Sequence, residues 1–161
     1  MPNPLQVTLA TISRFATIEL AAQLERYHAL EAVYTGLARH FVRTTRVAPH
    51  RIRTFPWIQT PLEAAQRLNL VSHRVAIEIG WYAKQALDCY IAKTLHPCHV
   101  YCALSGIGLA SGKVAKEQGA VYVCNRLSSH ILHQDRILRE EFESLGLLFS
   151  GIDHRIVDKE C

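Results

Sequence analysis

An α/β fold, with a largely parallel sheet and helices on both faces, is what this sequence predicts. Three observations carry that expectation. Short β-rich runs alternate with helix-length segments along the chain, and glycine or proline punctuates several of the boundaries. The stretch Cys98–Gly112 (CHVYCALSGIGLASG) passes from an apolar run through a turn with two glycines into a segment that can start a helix. Strand, turn, helix and strand make a right-handed parallel crossover, whose ligand crevice lies at the carboxyl ends of the strands.

The elements follow in order. Val7–Ser13 is β-rich, and Ala16–Tyr27 places Ile18, Ala21, Ala22 and Leu24 on one side of a helix. Leu30–Thr35 reads as a second strand closed by Gly36, so a βαβ unit starts almost at the first residue. Leu37–Arg51 has no clear period and reads as loop. Arg53–Trp57 is extended, because Pro56 biases its predecessor away from helix. Thr60 as a cap, Pro61 at the first position and Glu63 in the first turn predict a helix over Pro61–Leu70. A longer helix, His73–Leu95, is stopped by Pro97. Leu109–Gln118 is helical with Gly119 as its cap, Ala120–Asn125 (AVYVCN) is a strand, and Ile131–Leu145 is a helix ending at Gly146. Pairs Asp135–Arg139 and Arg136–Glu140, four residues apart, keep the last helix wet on its outer face. Phe149–Cys161 reads as irregular. The whole is Rossmann-like, one domain over residues 1–161.

Composition narrows the classes. The chain has 161 residues, 49% hydrophobic and 20% charged, with a net charge of +4. That suits one globular domain with a real core, and so mild a charge does not point to nucleic acid. The N-terminus has no positive export region, and no apolar stretch reaches membrane-spanning length. Five cysteines at 89, 98, 102, 124 and 161, several inside strand-like runs, suit reduced and buried thiols, so the expected location is the cytoplasm. Between Ala32 and Leu62 there is no acid, while Arg39, Arg43, Arg46, Arg51 and Arg53 gather there with Phe41, Phe55 and Trp57. That segment is either a solvated face or a contact for an anionic partner or the acidic inner face of a membrane.

Candidate sites divide the same way. Gly106, Gly108 and Gly112 either make a tight turn with close helix–sheet packing or aim backbone N–H groups and a helix dipole at a phosphate. No acid ends the next strand to hold a ribose, since Asn125 and Arg126 stand there. Cys98-His99-x-x-Cys102 invites a zinc reading, with Cys98 and Cys102 on one strand face. No second ligand pair exists, which favours structural thiols over metal. Arg126, Ser128, Ser129 and His130 follow a strand. Ser128 or Ser129 caps the next helix, or the group lines the crevice for hydroxyl-rich or phosphorylated ligands.

The blocks VTLATISRF, RTFPW, HVYCALSGIGL, YVCNRLSSHIL and HQDRILREEFESLGL, followed by GIDHRIVDKE, resemble the N-terminal half of bacterial glycosyltransferases of family 4. NRLSSHI with QDRILREEF is the most specific part of the resemblance, which runs along nearly the whole chain. It implies the acceptor-side domain of a two-domain GT-B enzyme that transfers a sugar from a nucleotide-sugar with retention of configuration. It implies no metal ion and no cofactor beyond the nucleotide-sugar co-substrate. The resemblance places Arg14 and Phe15, in the loop after the first strand, and Ser105, Gly106, Ser128 and Ser129 at the cleft as substrate-binding residues. His130 and Arg126 fall where the family has a catalytic histidine. The family's Gly-Gly pair after the first strand is not present here. The family's donor domain, with its paired glutamates, has no room in these residues. The expectation is a truncated gene product, an expressed fragment or one subunit of a split enzyme, inactive alone, with a donor-domain partner chain in the last case. Its acceptor is a sugar, lipid or polysaccharide, and no nucleic acid is involved. The competing expectations are a non-catalytic Rossmann-like module for a phosphorylated or sugar ligand, and a basic docking domain.

Overall fold

The computed structural model describes residues 5–42 and 46–160. Its strands are β1 (Val7–Thr11), β2 (Leu30–Thr35), β3 (Ile52–Thr54), β4 (Val100–Leu104) and β5 (Val121–Asn125). All pairings are parallel, in the order β3-β2-β1-β4-β5. The helices are α1 (Ala16–Arg26), α2 (Arg39–Val42), α3 (Gln59–Arg67), α4 (His73–Thr94), α5 (Leu109–Glu117), α6 (Ile131–Ser144) and α7 (His154–Glu160). The fold is thus Rossmann-like α/β, and every strand points its carboxyl end at the same rim.

Alternation along the central strands builds two cores. On one face Ala10, Ala32, Tyr34, Tyr101 and Ala103 meet Ala83, Leu87 and Ile91 of α4 and Ala115 of α5. On the other, Val7, Leu9, Leu30 and Val33 meet Ile18 and Ala21 of α1, together with Val42, Val47 and Ile52. Register enforces the split, since Leu9 lies opposite Val33 and Cys102 while Ala10 lies opposite Tyr34 and Ala103. Each residue step moves a side chain to the other face of the pleat.

α4 crosses the sheet because Ala76, Ala83, Leu87 and Ile91 fall on one stripe, with the Ser72 hydroxyl accepting from the Val75 N–H at 3.5 Å. β5 is an edge. Val121 is 63% and Val123 42% exposed, so the face that α1 covers over β1 and β2 is bare here.

Several expectations need correction. Thr60 is not a cap: the helix begins at Gln59, two residues earlier than proline at the first position implies, and the Thr60 hydroxyl accepts from the Ala38 N–H at 2.9 Å. The basic segment is not all loop, since it forms α2 and a short 3₁₀ turn, Pro49–Arg51. The extended run at Arg53 ends at Thr54. The tail is irregular only as far as Asp153, whose carboxylate accepts from the Arg155 N–H at 3.0 Å where α7 starts. Cys98 and Cys102 do not share a face, because β4 starts only at Val100. Cys98 packs with the Tyr34–Tyr101 core and Cys102 with the opposite one. Nor are the thiols all buried, for Cys89 and Cys124 are exposed and Cys98 and Cys102 half-buried. Cys161 lies outside the described residues.

Candidate functional site

The loops after β4 and β5 leave the sheet side by side. The Ser105 N–H donates to the Asn125 carbonyl at 2.9 Å, which keeps the two strands paired through their last residues. Two cavities open at this rim. The larger, about 420 Å³, is lined by the Gly106–Leu109 turn, Gly112, Lys113 and Lys116 of α5, Tyr122, Cys124, Arg126 and His130. The smaller, about 170 Å³, is lined by Trp81 and Lys84 of α4, Ser105, Gly106, Arg126, Ser128, Ile131 and Ile156. Gly106 and Arg126 line both. Among the described residues, no aspartate or glutamate lines either one.

Most of the residues expected at the cleft therefore meet. Ser105, Gly106, Arg126, Ser128 and His130 all line this rim. Arg126 braces its own loop, its Nη2 donating to the Ser129 carbonyl at 2.8 Å. Ser129 contributes that carbonyl and lines neither cavity. Arg14 and Phe15 are exposed after β1 and also line neither. Neither serine caps α6. His130 does so itself, its Nδ1 accepting from the Leu132 N–H at 3.4 Å.

The glycine turn resolves in favour of packing. A Cβ on Gly108 would come within 2.7 Å of the Tyr122 hydroxyl oxygen and 2.8 Å of the Ala103 Cβ, and its φ is +140°. Gly112 sits on the same ring, with a Cβ there 3.1 Å from it. These two glycines let α5 lie directly on Tyr122. The phosphate reading of the α5 N-terminus meets a built-in competitor. Asp88, reaching across from α4 and 3% exposed, accepts from the Ala110 N–H at 2.9 Å, the Ser111 N–H at 3.0 Å and the Ser111 hydroxyl at 2.6 Å. A carboxylate thus already neutralises the positive end of this helix. The Tyr101 hydroxyl joins the group, 2.7 Å from Ser111 Oγ. Burial is the main reason that the Tyr101 and Tyr122 phenols titrate above the usual tyrosine range. Both stay neutral at physiological pH.

α7 forms part of the wall. Arg155 donates to Glu78 Oε1 at 2.7 Å, to Glu78 Oε2 at 2.9 Å and to Asp153 Oδ2 at 2.5 Å, with its guanidinium 5.1 Å over the Trp81 ring. This ties α7 to α4 and holds Ile156 in the wall of the smaller cavity. The same hydrogen bonds hold the Asp153 carboxyl down to about 2 and lower that of Glu78.

The arginine-rich segment offers no single basic face. Arg39 donates to the Ile52 carbonyl at 3.4 Å; Arg51 bonds the Leu30 carbonyl and pairs with Glu25 at 3.2 Å. Arg53 lines a separate cavity of about 410 Å³ with Tyr34, Tyr90, Lys93 and His96. Arg46 is exposed, and Arg43 lies outside the described residues. Among the described residues, no helix is long and apolar enough to cross a membrane, and no three His, Cys, Asp or Glu side chains gather as metal ligands.

Sequence reasoning missed Trp81, Lys84, Lys116, Tyr122 and Asp88. Lys113 and Lys116, one helical turn apart straight after the glycine turn, were a usable local signal. The α4 residues were not, because only the crossover brings them to the rim.

The fold is similar to that of one solved structure, TcCGT1 in complex with UDP. The TM-score is 0.54 at 12% identity, and the match covers 88% of this chain and 32% of that one. This chain spans about a third of the length of its structural neighbour, and at such identity the likeness is one of fold. No family model matches the chain, and no curated protein matches it.

Proposed function

We propose that this chain is the acceptor-side domain of a two-domain, GT-B type sugar transferase that uses a nucleotide-sugar donor. The observation that carries the reading is the joint rim of β4 and β5, where Ser105, Gly106, Arg126, Ser128 and His130 gather around open cavities. The match to a third of a structure with UDP bound supports it, as do the NRLSSHI and QDRILREEF blocks. Membership of family 4, retention of configuration and independence of metal rest on those blocks.

In the proposed reaction an acceptor hydroxyl attacks the donor's anomeric carbon. The bond from that carbon to the diphosphate oxygen breaks, and the nucleoside diphosphate leaves with the bonding pair and takes up the acceptor hydroxyl's proton on that oxygen. A second domain, in the same or a separate polypeptide, holds the donor, so this chain by itself transfers no sugar. Arg126 offsets charge on the leaving diphosphate. His130 has Nδ1 engaged as an acceptor, so its neutral ring carries the proton on Nε2. It acts by donating a hydrogen bond to the transferred sugar, not as a base. The rim fixes the acceptor's orientation, which supplies the proximity share of the rate. The reaction is cytoplasmic on this reading.

Amide-resolved NMR titration with a panel of mono- and disaccharides tests the proposal. Shifts are expected at Ser105, Gly106, Arg126 and Ser128. Shifts confined to the Arg53–Lys93–His96 cavity, or sugar transfer by the purified chain with no other protein present, would sink it.

A further inference from the structure

The charge of the rim goes further than its shape. Lys84, Lys113, Lys116 and Arg126 line the two neighbouring cavities, His130 stands with them, and among the described residues no aspartate or glutamate is in the lining. Lysine and arginine only donate hydrogen bonds. A neutral sugar offers hydroxyls that both give and take, and a wall able to hold one needs acceptors as well. Among the lining side chains of the described residues, the acceptors are the hydroxyls of Ser105, Ser128 and Tyr122, while the donors are mostly cations.

Geometry sharpens the point. Lys113 and Lys116 stand one turn apart on α5, and Arg126 comes from the loop after β5, so positive charge faces the 420 Å³ cavity from two walls. Among the described residues neither Lys84 nor Lys113 makes an ion pair, and Lys116 lies 5.8 Å over the Tyr122 ring. Asp88 is turned away into the α5 N-terminus, where it takes the Ala110 and Ser111 N–H groups. Backbone N–H groups of that helix therefore do not serve an incoming anion, and the side chains must. Lys113 and Lys116, held one turn apart at the cavity, repel until an anion enters. The volume lies within the range of ordinary ligand pockets.

We propose that the acceptor bound in this cavity carries an anionic group, a phosphate ester or a carboxylate, held between Lys113, Lys116 and Arg126. The inference rests on the acceptor-side reading above and adds the acceptor's chemical class to it. The anion anchors one end of the acceptor and leaves a hydroxyl free to point at the donor.

The test is a titration of the purified chain at constant ionic strength with glucose 6-phosphate, glucuronate, inorganic phosphate, glucose and UDP, read at the Gly106, Gly108 and Gly112 amides. Glucose 6-phosphate or glucuronate should shift those amides, and the tighter of the two identifies the anionic group. The pair K113Q and K116Q, on the exposed side of α5, should weaken that binding about tenfold or more while leaving the unfolding midpoint in place. Glucose binding as tightly as glucose 6-phosphate at the same amides overturns the inference and leaves the acceptor-side reading standing. Inorganic phosphate binding as tightly as the sugar phosphate also overturns it, since the sugar then contributes nothing. UDP shifting those amides when no sugar anion does would give the cations to the donor's diphosphate and overturn it as well. If no sugar of any kind perturbs the rim, the acceptor-side reading falls with it.

Discussion

The two halves of the sheet are built to different ends. Around β1 and β2 both faces are covered, and Leu9, Val33 and Tyr34 are at most 1% exposed. Around β5 one face is bare, Val121 and Val123 stand in solvent, and the opposite face holds the cavity with its lysines. The closed half spends its residues on packing. The open half spends them on glycine turns, cations and a loop braced by its own arginine. Local stability and ligand access trade against each other, and here the trade falls between neighbouring strands of one sheet.

The largest effect should come at the seam between the halves. Asp88→Ala strips three hydrogen bonds from the α5 N-terminus and leaves buried donors unmatched. A loss of about 3 kcal/mol in urea unfolding is expected. A loss below about 1 kcal/mol would mean the open half is not tied to α4 through this carboxylate. A matched pair comes next. Val33→Thr buries a hydroxyl in the closed half and should cost about 2 kcal/mol, whereas Val123→Thr in the open half should stay within about 0.5 kcal/mol. Equal losses would erase the contrast.

The smallest effect concerns acid. Arg155 lowers the carboxyls of Asp153, to about 2, and of Glu78, so their contribution is complete above the ordinary carboxylate range. It fades as pH falls through the lowered values, between about 4 and about 2. Hydrogen exchange along α7 should accelerate in that window before the closed half responds. Release of α7 already near neutral pH would show that the Arg155 pairs do not hold it.

Much of this layout was readable in the chain. Leu30–Thr35 is a strand over the stated residues, Gly119 with φ +86° ends α5, and Gly146 with φ +66° follows α6. These depend on local rules, the period of apolar residues and the backbone freedom of glycine. What stayed hidden depends on distance. Asp88 and Ser111 are 23 residues apart, and nothing around either announces the other. Thr60 has the sequence neighbourhood of a cap and serves Ala38 instead, 22 positions earlier. Arg39 and Arg51 look like a solvated basic run until β2 and β3 lie beside them and offer carbonyls. The site followed the same rule. Arg126 to His130 were legible because they directly follow a strand, and Trp81 and Lys84 were not, because a 22-residue helix delivers them from elsewhere.

Asp88 has one more effect, on the speed of capture. By accepting from the Ala110 and Ser111 N–H groups, it fixes the first turn of α5, directly after the Gly106–Gly108 bend. On the proposed function, a ligand at this rim meets a preset turn and need not organise it, so association spends little conformational entropy on that stretch of chain. Encounter speed should follow long-range attraction by the surrounding ammonium and guanidinium groups, fading as salt is added.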